Sequence, residues 1–170
     1  NYLKEKLKTA KMAKNLQERG VKEIPFIFQI PYNRRNLECA LEINEIIWND
    51  FSKIDLFELK NPKGRFSVIP YKDSLVVIDY AHSPEALERI LSSIKKFYPE
   101  FLLSLVFGCG GDKKNKKRPK MGKIACDFVD KGKIYLTSDN PRFEKPEKII
   151  ADIREGMKNS NVLTMVERKE

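Results

Sequence analysis

Three times between residues 74 and 158 a short apolar run gives way to a polar motif and then to an amphipathic helical pattern. The runs 74–79, 101–107 and 133–138 read as strands, and 84–97, 119–130 and 146–158 as helices, with 162–166 as a fourth strand. Leu87, Ile90, Leu91, Ile94 and Phe97 share one face of the first helix, as a 3.6-residue period requires. Met121, Ile124, Ala125 and Phe128 do so in the second, and Ile149, Ile150, Ile153 and Met157 in the third. Pro84, Pro119 and Pro146 each fall near a first helical turn, where the missing N–H costs nothing. Ser83 suits an N-cap. Alternation of this kind predicts an α/β fold: a mostly parallel sheet with right-handed crossovers and helices on both faces.

In open parallel sheets, ligands bind beyond the carboxyl ends of the strands. There the sequence places VVIDYAHSP (76–84), VFGCGGDKKNKKRPKMG (106–122) and LTSDNPR (136–142). Three polar motifs on one rim predict one site.

The first third of the chain is less regular. Residues 2–19 put Leu3, Leu7, Ala10 and Leu16 near one face of a lysine-rich helix that Gly20 stops. A solvated surface helix is favoured there over a membrane-binding one. The run 24–30, closed by Pro31, reads as a short strand. Residues 33–49 read as a helix with Leu37, Ala40, Leu41, Asn44, Ile47 and Trp48 on one stripe, Trp48 as its core anchor. NPKGR (61–65) is a turn and the first domain boundary, which divides the chain into 1–65 and 66–170.

Thirty-three basic against 24 acidic residues give a formal charge of +9, which favours anionic partners without choosing among phosphate, carboxylate and nucleic acid. No apolar run approaches the ~18 residues of a membrane span, and the N-terminus has no apolar signal core. A cytoplasmic protein is expected, with no membrane partner. The chain does not begin with Met and reads as trimmed. Cys39, Cys109 and Cys126 are an odd number without CxxC spacing, which argues for reduced thiols. Cys109 reads as a packing residue in preference to a reactive one.

The motifs differ in how far each constrains chemistry. Asp79 at a strand end suits a ribose hydroxyl as well as a turn, and Tyr80 can cover a base. His82, the one histidine, lacks a readable partner for acid–base work. Gly108, Gly110 and Gly111 follow a strand and precede a helix, as in an anion cradle. Yet GxxxxGK[ST] and GxGxxG are both absent from the 170 residues. Lys113, Lys114, Lys116, Lys117, Arg118 and Lys120 lack the interleaved aromatics of a nucleic-acid surface. Arg118, next to the helix start, is the member best placed to fork onto a carboxylate. In Asp139-Asn140-Pro141-Arg142 a rigid turn holds an anionic, an amide and a guanidinium group, a set that suits a zwitterionic amino acid.

NPKGR, VVIDYAHSPEALE, VFGCGGDKKNKKRPKMG and TSDNPR, in this order and spacing, resemble the Mur ligases, most closely their diaminopimelate-adding members. The resemblance is strong from about residue 61 onward and weaker over 24–48, which is similar to the closing strand and helix of the family's central ATPase domain. It implies a Rossmann-like domain at 66–170, preceded at 1–65 by the end of a second α/β domain. It also implies an ATP-dependent amide ligase of peptidoglycan synthesis that works through an acyl-phosphate.

Arg65 is then the hinge arginine that reaches the ATP phosphates, and Asp79, Tyr80 and His82 lie near the nucleotide. Arg118, Asp139, Asn140, Pro141 and Arg142 recognise diaminopimelate, Arg142 meeting its distal carboxylate. The cofactors implied are ATP and Mg2+ in a complete enzyme, neither held tightly by these residues alone. The partners are UDP-N-acetylmuramoyl dipeptide and diaminopimelate, with no nucleic acid, and a monomer is expected. The alternatives are a lysine-adding or folylpolyglutamate-type ligase, or a basic nucleic-acid module.

The departures are Lys63 within the turn, Ser83 where Thr is common, and Asn115 and Lys116 in the basic stretch. No P-loop, UDP-sugar domain, carbamylated lysine or Gly-Lys-Gly-His-Glu segment is found. A piece of a ligase without catalytic or metal-binding residues of its own is therefore expected.

Overall fold

A computed structural model describes residues 26–48, 54–111, 116–158 and 161–167. The predicted helix at 2–19 lies outside the described residues, as do Ile24 and Pro25 of the predicted first strand and Asp112, Lys113, Lys114 and Asn115 of the basic loop. The chain divides into two compact units, Asn1–Ser67 and Val68–Glu170.

In the first unit, a short helix α1 (Phe26–Gln29) leads through Ile30 into α2 (Pro31–Trp48). The apolar run expected as a strand is thus helical where it is described. Short apolar runs do not distinguish the two states by periodicity, and here burial decides: Phe28, Leu37, Leu41 and Leu56 form one buried cluster with Ile54 against it. Leu37 and Leu41 hold the expected inner face of α2. Trp48, expected as its anchor, is 73% exposed, and Ile47 is exposed as well. A residue on the last turn of a helix has less of the unit to pack against.

The second unit begins with a strand pair, β1 (Ser67–Tyr71) and β2 (Ser74–Ile78). The two residues between them, with Lys72 at φ 51, allow only an antiparallel hairpin. β1 was not among the expected strands; it carries Pro70, which lacks a ladder donor and suits an edge strand. In the structure β2 belongs to this pair and not to the larger sheet. There follow α3 (Pro84–Phe97), β3 (Leu105–Phe107), α4 (Lys117–Phe128), β4 (Ile134–Thr137), α5 (Pro146–Arg154) and β5 (Val162–Met165).

β3, β4 and β5 form a parallel sheet in that order. Leu105, Ile134 and Val162 share one register row, and Val106, Tyr135 and Leu163 the next, so the rows face opposite sides. Ile134, Leu136 and Val162 are buried, whereas Val106 and Leu163 remain exposed.

α3 is the helix its sequence predicts. Ser83 Oγ accepts from the Ala86 N–H at 3.2 Å, Pro84 opens it, and Leu87, Ile90 and Leu91 are buried. α4 packs against both α3 and α5. Its crossing with α5 is close: a Cβ on Gly122 would overlap the Ile153 carbonyl oxygen. That crossing brings the first turn of α4 to α5, which decides the fate of Arg118.

Candidate functional site

Residues from the carboxyl ends of β2, β3, β4 and β5 surround one cavity of about 710 Å³. Asp79, Tyr80 and His82 line it from the segment after β2, Gly108, Cys109 and Gly110 from the loop after β3, and Asp139, Asn140 and Arg142 from the turn after β4. The rim motifs that the sequence predicts as one site are thus brought together within the second unit. Lys117, Tyr135, Thr137, Met165 and Glu167 line the cavity too and were not singled out individually as site residues. Register along β4 and β5 carries Tyr135, Thr137 and Met165 there, whereas Lys117 comes from the first turn of α4 and Glu167 from the segment after β5.

Each segment is held by its neighbours. The Tyr80 and His82 rings are tilted at 52° with centroids 5.3 Å apart, and His82 Nδ1 lies 3.3 Å from the Tyr80 carbonyl oxygen. Lys117 Nζ donates to the His82 carbonyl at 3.0 Å, tying the start of α4 to the segment after β2. The Gly111 N–H donates to the Asn140 carbonyl at 3.1 Å. A Cβ on Gly111 would overlap the Pro141 carbonyl oxygen. Close approach of the neighbouring turn therefore demands this glycine, whether or not an anion binds there.

The turn itself is unusual. Asn140 and Arg142 have φ of 44° and 52°, the left-handed region that non-glycine residues seldom occupy. The Glu144 N–H donates to the Pro141 carbonyl at 3.0 Å, closing a four-residue turn with Arg142 at its corner. Such conformations persist only where surroundings over-determine them, and they cluster at functional sites. Arg142 is exposed on the cavity side, Asp139 two residues beyond the end of β4. Carboxylates and cations, Asp79, Asp139 and Glu167 with Lys117 and Arg142, share the lining. A lining of mixed sign suits a ligand that itself carries both signs.

Arg118 differs from the expectation that it meets the amino acid. It is fully buried and absent from the cavity lining. Its Nη1 donates to Asp152 Oδ2 at 2.7 Å and to Glu144 Oε2 at 3.0 Å, and its Nη2 to Glu144 Oε1 at 2.8 Å and to the Gly110 carbonyl at 3.2 Å. The hydrogen bonds to Glu144, above all, hold the guanidinium well above its ordinary pKa, against the opposing effect of burial.

Cys109 is buried with Sγ 3.6 Å from Met121 Sδ, and burial pushes its thiol up. That is the environment of a packing residue. Arg65 lies in the first unit, exposed, in a turn where its N–H donates to the Pro62 carbonyl at 3.1 Å and the Arg65 carbonyl accepts from Asn61 Nδ2 at 2.8 Å. Among the described residues no group of three or more His, Cys, Asp or Glu side chains is arranged to hold a metal ion. Nor is any described helix long and apolar enough to cross a membrane.

Residues 64–170 match the family described as Mur ligase, glutamate ligase domain. The chain is 44% identical over 129 residues to the UDP-N-acetylmuramoyl-L-alanyl-D-glutamate--2,6-diaminopimelate ligase of Leptospira interrogans, covering 74% of this chain and 25% of that protein. It is 40% identical over 158 residues to the ligase of the same name from Clostridium perfringens, covering 89% and 31%. The chain thus spans less than a third of the curated relatives it matches. A solved structure of a ligase of that name superposes with a TM-score of 0.57 at 34% identity, over 86% of this chain and 30% of that one. The folylpolyglutamate synthase of Thermotoga maritima superposes with a TM-score of 0.60 at 24% identity, over 81% and 32%, a likeness of fold.

Proposed function

Because the chain belongs to the Mur ligase family, we propose that it forms the amino-acid-presenting part of an ATP-dependent ligase, one that joins meso-diaminopimelate to UDP-N-acetylmuramoyl-L-alanyl-D-glutamate in peptidoglycan synthesis. The observation that carries this reading is the strained turn after β4, which offers Asp139 and Arg142 to one cavity. Asp139 faces the ammonium of the incoming amino acid, and Arg142 forks onto its distal carboxylate. Asn140 supplies an amide between them, and Pro141 stiffens the turn. Lysine, which ends in an ammonium, gives Arg142 no partner and meets it with like charge.

Tyr80 and His82 give the nucleotide an exposed aromatic surface, with Asp79 for a ribose hydroxyl, and in the first unit Arg65 is the residue assigned to the ATP phosphates. ATP supplies the phosphoryl group that activates the acceptor carboxylate. The contribution of this chain is to hold the amine in line for attack. Mg2+ is commonly held by one or two carboxylates together with substrate phosphates; among the described residues no group of three or more His, Cys, Asp or Glu would hold a metal by itself, and no step is assigned to a metal held by them. The 170 residues, which lack a GxxxxGK[ST] sequence, are inactive alone. The ligase is cytoplasmic and monomeric.

The test is ATP-dependent transfer of labelled diaminopimelate to the UDP-muramoyl dipeptide by a ligase carrying this chain. Arg142→Ala is expected to raise the KM for diaminopimelate about a hundredfold, as loss of a positioned charge pair does, and to leave the KM for ATP unchanged. Equal use of lysine and diaminopimelate by the unaltered enzyme would overturn the substrate assignment.

A further inference from the structure

We infer that Arg118 is a positioning residue: from beneath the cavity wall it fixes the glycine loop and the Asn140–Arg142 turn, and through them Arg142. The inference rests on the reading of Arg142 given above only for its consequence in substrate binding.

Four observations converge on it. The guanidinium is wholly buried, so it meets no ligand in the cavity. Its fork on Glu144, with bonds of 2.8 and 3.0 Å, grips the residue that closes the turn by donating its N–H to the Pro141 carbonyl. Its bond to the Gly110 carbonyl grips the loop residue adjoining Gly111, whose N–H donates to the Asn140 carbonyl. Its bond to Asp152 at 2.7 Å anchors both to α5.

Arg118 is therefore the shared node of two latches on either side of a turn whose Asn140 and Arg142 sit at positive φ. A turn so strained relaxes when what over-determines it is removed. A lysine at this position keeps the charge but not the planar fork, so it cannot grip Glu144 and Gly110 together.

Amide hydrogen exchange on the 170-residue chain tests this without substrate. The Arg118→Lys and Glu144→Gln variants are expected to speed exchange of the Gly111 and Glu144 amides at least tenfold. The amides of Leu136 in β4 and Ile153 in α5 should keep their rates. Arg118→Ala leaves two acidic partners uncompensated and is prone to unfold, so the milder pair decides. Unchanged exchange at Gly111 and Glu144, or a uniform rise at all four amides, would overturn the inference.

The same variants placed in a whole ligase should raise the KM for diaminopimelate about ten- to a hundredfold with kcat little changed. Local unlatching with an unmoved KM would leave Arg118 as a positioning residue and sink the assignment of Arg142 to the amino acid. The two failures are thereby told apart.

Discussion

Arg118 carries a charge that burial alone makes unfavourable, and Glu144 and Asp152 offset it with short hydrogen bonds. Removing one member of such a buried group leaves an uncompensated charge, which typically costs about 3–5 kcal/mol. Arg118→Ala should therefore shift the urea midpoint of the second unit far below that of the unaltered chain. Lys123→Ala breaks the exposed pair with Asp127 and should leave the midpoint nearly unchanged. Equal shifts would mean that the Arg118 network contributes no more than a surface contact.

Cys109 gives a pH-dependent counterpart. Burial raises its thiol pKa in the folded chain, so the folded state holds that proton more tightly than the unfolded one. The resulting stability is fully present below the unfolded pKa and is lost as pH rises through the folded value. Cys109→Ala should flatten the alkaline limb of stability, measured by urea unfolding at neutral pH and near pH 10. A thiol reagent at neutral pH should label the exposed Cys39 at once and Cys109 only on unfolding. Prompt labelling of Cys109 in the native chain would contradict its packing role.

Among the elements, the loop after β3 separates two uses of glycine. Gly110 has no atom closer than 3.9 Å to an added Cβ, whereas Gly111 would strike the Pro141 carbonyl. Gly111→Ala should push the loop from the turn and destabilise the unit by about 1–3 kcal/mol, while Gly110→Ala should be near neutral in the same thermal unfolding. Ser83→Ala removes the side-chain cap of α3 and should cost about 1 kcal/mol.

α3 was legible because its cap, its proline and its apolar spacing are all local. The run containing Phe28 was misread, because a few apolar residues fit a strand or a helix until their partners Leu37 and Leu56 are known. Arg118 could not be read from its neighbours. Its partners lie 26 and 34 residues away, and only the close crossing of α4 and α5 brings them to it. Asp139, Asn140 and Arg142 were placed on the cavity rim by the strand-end rule alone, whereas the positive φ values of that turn leave no mark in composition.

For the molecule as a whole, the second unit supplies a rim on which both signs of charge meet, and the family match from residue 64 to 170 covers that unit. The central claim is that this rim takes a zwitterion with a second carboxylate. Calorimetric titration of the chain with meso-diaminopimelate and with lysine, beside the Arg142→Ala variant, tests it most directly. Binding of diaminopimelate in clear preference to lysine, lost in the variant, is the expected result. Lysine bound as tightly as diaminopimelate, or diaminopimelate binding that survives the loss of Arg142, would contradict the account.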